Sequence, residues 1–305
     1  MNILVIGAGA LGVYYGGRLL EKGSNVSFLV RKNRARQIKE NGLVIHSVKG
    51  DYTLEDARVV TDPDEAGECD IVILAVKGYH LEGTLPQLKK FVNKGAKVLP
   101  LLNGIEHIHQ LQAELGEEAV LGGLAFIIAT LDEKGHVVHT SSSHDLIFGP
   151  LDPAQHDICN ELNEALENAN MKARMSGNIL QDLWKKYMFI TAFSGITTAV
   201  NLPIGQIRKH QSTFQLGEKV LNEMKMLANS YDASISDQDV ENGVNQLSQL
   251  PDEATSSMHQ DRRKGLPLEV EHLQGGALRL AKQKEIALPV IETLYAVIKP
   301  FEKGN

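Results

Sequence analysis

The chain has little of what marks a secreted, metal-binding or membrane protein. Of its 305 residues two are cysteine, Cys69 and Cys159, and neither sits in a CxxC pattern. That argues against a disulfide framework or a thiolate metal centre and points to a reducing, cytoplasmic setting. Histidine numbers 11, yet no HExxH spacing occurs. His107 and His109 are close in sequence. His136 and His139 lie on a segment that reads as strand, where residues three apart face opposite sides. No metal is expected, and a surface position is the ordinary reading of these histidines. No apolar run approaches the roughly 20 residues that a bilayer requires. No basic n-region precedes the first glycines, so no signal peptide is expected. Lys and Arg total 31 against 38 Asp and Glu, a formal net charge of −7. Nucleic acid would need a basic face. No internal repeat or low-complexity tract is evident.

What is present begins at once. Asn2-Ile3-Leu4-Val5-Ile6 reads as a strand and breaks into Gly7-Ala8-Gly9-Ala10-Leu11-Gly12, after which a helical pattern runs to about Glu21. Gly7 suits the tight turn, Gly9 lets a pyrophosphate approach the backbone, and Gly12 lets helix pack on strand. The amides of Gly9, Ala10, Leu11 and Gly12 would then meet the phosphates at the helix N-terminus. A glycine turn that binds nothing is the plain alternative.

Further strands are expected at Val26–Val30, at Asp70–Val76 and at Lys97–Leu102, with a short helix around Arg34–Glu40. Leu43–Ser47 and Tyr52–Glu55 read as a hairpin. The near-continuous apolar runs suit parallel strands buried on both faces, hence a doubly wound α/β sheet of Rossmann type. Ala125–Leu131, His136–Thr140 and Asp145–Phe148 read as an antiparallel extension, followed by a helix at Gln155–Ala169 and an edge strand at Met171–Met175. Long helical patterns then take over: Asn178–Ala199, Thr213–Tyr231, Asp237–Gln249, Leu268–Lys282 and Pro289–Lys299. The expected domains are 1–176, nucleotide-binding and Rossmann-type, and 177–305, all helical.

The end of the second strand reads Val30-Arg31-Lys32-Asn33-Arg34, with no acid to hold a ribose hydroxyl. Arg31 and Arg34 would pair with a 2′-phosphate, which favours NADPH; a solvated basic loop is the alternative. Lys77 and Asn103 close two buried strands, where ligands meet such sheets. Asn103 before Gly104 also suits a simple turn. On the helix after Asn178, Lys186 shares a direction with Ile179, Leu183, Ile190 and Phe193, while Lys185 falls with Asn178 and Gln181. A lysine on an apolar face is either desolvated and acidified for proton donation, or paired with Asp182 for structure.

The chain resembles the ketopantoate reductase (2-dehydropantoate 2-reductase) family over nearly its whole length. The likeness rests on Gly7-x-Gly9-x-x-Gly12, Arg31, Val76-Lys77, Asn103-Gly104 and Leu183-Trp184-Lys185-Lys186. It continues in Thr255-Ser256-Ser257-Met258-His259-Gln260-Asp261 and Glu269-Val270-Glu271. The resemblance implies NADPH-dependent reduction of a small 2-keto acid between a Rossmann domain and a helical domain. It implies Lys186 as the catalytic proton donor and Glu269 as the acceptor from a substrate hydroxyl. Ser257 would meet the substrate carboxylate and Asn103 both cofactor and substrate. Arg31 would hold the 2′-phosphate, and Lys77 would line the nucleotide pocket. Glu269 and Ser257 could also serve only as helix-start residues.

One departure stands out. Asparagines expected one and two turns beyond the lysine are here Ile190 and Ser194. Isoleucine cannot hydrogen-bond; Ser194 can replace part of the lost substrate contact. The reaction class survives, while the identity of the keto acid opens toward a larger or more apolar one. The leading expectation is ketopantoate reduction on the route to pantothenate. The rivals are a paralogue acting on another keto acid and a redox sensor that binds NADP(H) without turnover. A homodimer is left open.

Overall fold

The structure is a computed structural model and describes residues 1–55 and 57–304. Asn305, the last residue of the expected helical domain, and Asp56 lie outside the described residues. The chain forms two compact units, Met1–Leu102 with His107–Ile179, and Asn103–Glu106 with Leu180–Asn305.

In the first unit the order is β1 (Asn2–Ile6), α1 (Ala10–Glu21), β2 (Asn25–Leu29), α2 (Lys32–Asn41), β3 (Val44–Ser47), β4 (Tyr52–Thr53), β5 (Arg58–Val60) and β6 (Ile71–Leu74). Then come α3 (Leu85–Val92), β7 (Lys97–Pro100), α4 (Glu106–Leu115), β8 (Gly122–Leu131), β9 (Val137–Gly149), α5 (His156–Leu166) and β10 (Lys172–Met175). A five-stranded sheet runs β5-β2-β1-β6-β7, and every pairing in it is parallel. The order reverses beside β1, so the glycine turn opens at the switch point where such sheets take ligands. β6 is buried throughout, as a strand covered on both faces should be.

The antiparallel strands expected after residue 122 are present as β8 and β9. They belong to a second, mixed sheet, β10-β9-β3-β4 with β8 on β9, which also takes in the β3–β4 hairpin. Two strands read separately on either side of Ser141-Ser142-Ser143 are one strand, β9. The serines are poor strand formers, and they fall where the β8–β9 register is interrupted. The Ser141 hydroxyl accepts from the Ile128 amide at 2.9 Å, beside the irregularity in the β8–β9 register. α1 packs against strands of both sheets. A Cβ on Gly16 would strike Phe28 and Val5 of the first sheet, and one on Gly17 would strike Ile45 and Leu54 on the other side. Adjacent glycines thus thin the helix where it is pressed from two directions. β5 escaped the sequence reading because three residues carry too little pattern.

The histidines near this helix are not surface residues. His139 and His144 are 1% and 6% exposed. Tyr14 Oη and His144 Nδ1 are 2.9 Å apart, and Ser47 Oγ lies 2.8 Å from His139 Nδ1. Their hydrogen-bond partners come from strands and a helix far apart in sequence.

The second unit comprises α6 (Ile179–Val200), α7 (Ile204–Arg208), α8 (Gln211–Asn229), α9 (Asp237–Gln249), α10 (Ser257–Arg263), a π turn at Glu271–Gly275, α11 (Gly276–Gln283) and α12 (Pro289–Ile298). α7 and α10 are short and were not legible as helices. Between Ile179 and Ala199 no α6 residue is exposed. A helix without a wet face must be the centre of its bundle. Trp184 stacks on Tyr231, just beyond the end of α8. At the far side the buried carboxylate of Glu223 accepts from the Val290 and Ile291 amides at 2.8 and 2.9 Å, capping α12 from another helix.

Candidate active site

The glycine turn is built to leave its amides unused. α1 starts at Ala10 with no capping side chain and no acid in its first turn, so its leading N–H groups carry no internal partner. A Cβ on Gly12 would fall 2.0 Å from the Gly7 carbonyl oxygen, whereas one on Gly9 meets nothing within 4 Å. Gly12 is therefore fixed by packing, while Gly9 borders free space of the kind a pyrophosphate fills. These residues fit a dinucleotide.

Two strand ends adjoin the turn. Arg31 is exposed at the N-cap of α2, with its Nη2 at 3.1 Å from His80 Nε2. Lys77, half-buried, follows β6 and precedes the short turn that carries His80. Arg34 does not stand free beside Arg31. It donates to the Ala8 carbonyl at 2.8 Å and the Gly135 carbonyl at 2.8 Å. Arg34 thus spends its guanidinium on backbone carbonyls, one of them in the glycine turn, whereas Arg31 and Lys32 are exposed. His80 carried no sequence signal; only the parallel pairing of β1 with β2 and β6 brings it to Arg31.

In the helical unit, Lys186 is 7% exposed. Burial pushes its ammonium down to about 8, and the negative charge of Glu269 opposes that fall. Glu269 is itself 4% exposed. A carboxylate that only started a helix would stay in water. It does also precede the π turn, its carbonyl accepting from the His272 and Leu273 amides at 3.0 Å each. Lys185, one position earlier, pairs with Asp239 at 2.9 Å. The two lysines divide as helical periodicity requires, although α6 has no polar face to receive Lys185; a second helix supplies the acid.

The remaining residues are placed as follows. Asn103 is half-buried and precedes Gly104, whose φ is +87°. A Cβ there would lie 2.8 Å from the His272 carbonyl, so the Asn103–Glu106 corner presses on the turn that follows Glu269. Ile190 is half-buried, and Ser194 is 4% exposed. Ser257 is exposed at the first position of α10, and the helix cap is Ser256, whose hydroxyl accepts from the His259 amide at 3.1 Å. Tyr187 Oη donates to the Leu273 carbonyl at 2.5 Å, tying the helix at Lys186 to the π turn. Such turns recur at functional sites. Neither this turn nor His272 was anticipated, since the residues of Glu271–Gly275 read as ordinary helix.

Comparison with known proteins bears on the family and the fold. Residues 3–153 match the family model "Ketopantoate reductase PanE/ApbA" and residues 178–302 its "C terminal" model. The chain is 37% identical over 302 residues to the uncharacterized oxidoreductase YkpB of Bacillus subtilis (strain 168), covering 99% of each. It is 27% identical over 308 residues to the 2-dehydropantoate 2-reductase of Nostoc sp., covering 99% of this chain and 95% of the other. The crystal structure of 2-dehydropantoate 2-reductase from Geobacter metallireducens GS-15 superposes with a TM-score of 0.90 at 27% identity, covering 98% and 99%. The chain belongs to the ketopantoate reductase family, and it is a pyridine-nucleotide-dependent oxidoreductase acting on a CH–OH group.

Proposed function

We propose that this protein reduces a 2-keto acid to the 2-hydroxy acid with NADPH, with 2-dehydropantoate to pantoate as the leading substrate pair. The observation that carries this reading is Lys186, a buried ammonium acidified to about 8 beside Glu269. A group of that pKa is largely protonated near neutral pH and still gives up its proton readily. NADPH, when bound, supplies the hydride. Lys186 donates a proton to the carbonyl oxygen and its charge stabilises the developing alkoxide; solvent then reprotonates it. Glu269 accepts from the substrate hydroxyl, and Asn103, Ser194 and Ser257 are the proposed polar contacts of substrate. Asn103 also meets the cofactor. The amides from Gly9 to Gly12 take the pyrophosphate, Arg31 the 2′-phosphate, and Lys77 the adjoining nucleotide. The setting proposed is the cytoplasm, and the assembly a homodimer, which sedimentation tests.

Ile190 favours a second reading. It is half-buried one helical turn beyond Lys186, where a hydroxylated substrate would profit from an amide. A 2-keto acid with a larger apolar side chain is the substrate under that reading.

NADPH oxidation across a panel tests both: 2-dehydropantoate, branched aliphatic 2-keto acids and aryl 2-keto acids. Fastest turnover of 2-dehydropantoate supports the leading reading, and a preference for an apolar member supports the second. Binding of NADPH with no turnover of any member would leave a non-catalytic nucleotide sensor. Lys186→Ala should cut turnover by about 10²–10⁴ and leave NADPH affinity nearly unchanged.

A further inference from the structure

Arg279, on α11, is gripped by two carboxylates that belong to different parts of the helical unit. Its Nε and Nη2 donate to Glu106 Oε1 and Oε2 at 2.8 and 2.7 Å, a forked pair. Its Nη1 donates to Glu271 Oε2 at 2.8 Å and its Nη2 to the Glu271 carbonyl at 2.7 Å. Glu106 ends the corner that begins at Asn103. Glu271 opens the π turn two residues after Glu269. Glu271 is held further by Tyr295 Oη at 2.5 Å and by Lys299. Its carboxyl is consequently pulled down to about 2.

We propose that Arg279 is a positioning residue, which locks the Asn103–Glu106 corner onto the π turn and thereby fixes the Glu269 carboxylate against the Lys186 ammonium. The inference rests on the reductase reading above. Three observations carry it. The fork takes both oxygens of Glu106, so the corner has little freedom to rotate. The corner and the turn are packed too closely at Gly104 to admit a Cβ, which would lie 2.8 Å from the His272 carbonyl, so a movement of either segment is transmitted to the other. Tyr187, next to Lys186, reaches the same turn through the Leu273 carbonyl. Arg279 is exposed and its two carboxylate partners are half-buried, while Lys186 and Glu269 are buried. A side chain at the surface with four hydrogen bonds to one turn and the corner beside it does little for the core, but it sets where that turn sits. Lys186 on α6 and His272 in the turn both bear on Glu269 electrostatically; Arg279, Glu106 and Glu271 in turn act on His272.

The test is steady-state kinetics of the full chain with NADPH and the best keto acid of the panel. The variants are Arg279→Met, Arg279→Lys, Glu269→Gln and a double variant that combines Arg279→Met with Glu269→Gln. Arg279→Met should lower kcat/KM for the keto acid about tenfold and move the alkaline limb of the rate to lower pH, in the direction that Glu269→Gln moves it. NADPH affinity should fall by clearly less than kcat/KM, because Asn103 on the loosened corner is only one of several proposed cofactor contacts. Arg279→Lys should recover part of the loss, an ammonium making one contact where the guanidinium makes a fork. The double variant should be no worse than Glu269→Gln alone, since both act through one carboxylate. Should Arg279→Met fail to fold by circular dichroism and Trp184 fluorescence, Glu106→Gln weakens the same tie and is judged by the same criteria. Unchanged kcat/KM and pH limb, a lowered melting temperature with intact kinetics, or losses that multiply in the double variant would each overturn the proposal. A wild type that turns over no keto acid defeats the reductase reading itself; an active wild type with an indifferent Arg279→Met defeats only the clamp.

Discussion

Replacing Glu269 by glutamine keeps the shape of the site and removes one charge. In the native protein Lys186 titrates near 8, burial lowering it and Glu269 holding it up. A neighbouring opposite charge is worth about one to three pKa units, so its loss brings the lysine to about 7 or below. Lys186 acts in its protonated form. The rate therefore falls as pH rises through the lysine's pKa, and a lower pKa moves that fall to lower pH. At about pH 7.5 a group of pKa 8 is about three-quarters protonated, and one of pKa 7 about one-quarter. Protonation alone thus costs the variant about threefold at that pH and almost nothing at about pH 6. A hydrogen bond lost to the substrate hydroxyl adds a constant factor at every pH. The assay is kcat for NADPH oxidation at saturating keto acid, from about pH 5.5 to 9.5. An alkaline limb that stays in place or moves upward in Glu269→Gln would refute the reasoning, as would a wild-type rate that climbs through pH 8.

Three further outcomes follow from the Rossmann-type unit. Gly9→Ala should fold normally, since its Cβ meets nothing within 4 Å, yet weaken NADPH about tenfold or more by calorimetry; Gly12→Ala, aimed at a carbonyl, should lower the melting temperature as well. Arg31→Ala should weaken NADPH about tenfold to a hundredfold and leave NADH nearly untouched, because only the 2′-phosphate loses a charge-assisted bond; equal losses for both nucleotides would remove Arg31 from that role. His139 and His144 are held below the ordinary histidine value, first by burial, with Arg18 and Lys49 adding positive charge and Asp145 opposing at His144. Their native pKa lies below the unfolded one of about 6.5, so the unfolded chain takes up protons first as pH falls. Stability from this pair is complete above about 6.5 and declines below it. Urea midpoints at about pH 7.5 and 5.5 check this, and His144→Gln should make the decline shallower.

Four of the five strands of the parallel sheet were legible because each is an apolar run closed by glycine or a polar residue, and burial on both faces writes itself into sequence. So were the glycine turn, whose spacing is set by local geometry, and Lys186, whose helical phase is arithmetic. Where the sequence reading departed from the structure, partners distant along the chain were responsible. The serine run inside β9 falls at the irregularity in the β8–β9 register, where the Ile128 amide donates to the Ser141 hydroxyl. Arg34 looks the equal of Arg31 until the Gly135 carbonyl takes its guanidinium. His139 and His144 resemble surface histidines, and only the packing of α1 against two sheets buries them. The clamp of Arg279 on Glu106 and Glu271 joins residues on either side of most of the chain. Local chemistry and periodicity, then, determined by themselves most of the elements and that Lys186, not Lys185, lies on the apolar face of its helix. Charge pairing and desolvation depend on what surrounds a group in three dimensions, so the acidity of Lys186 and the identity of its neighbours were decided only when the helices packed.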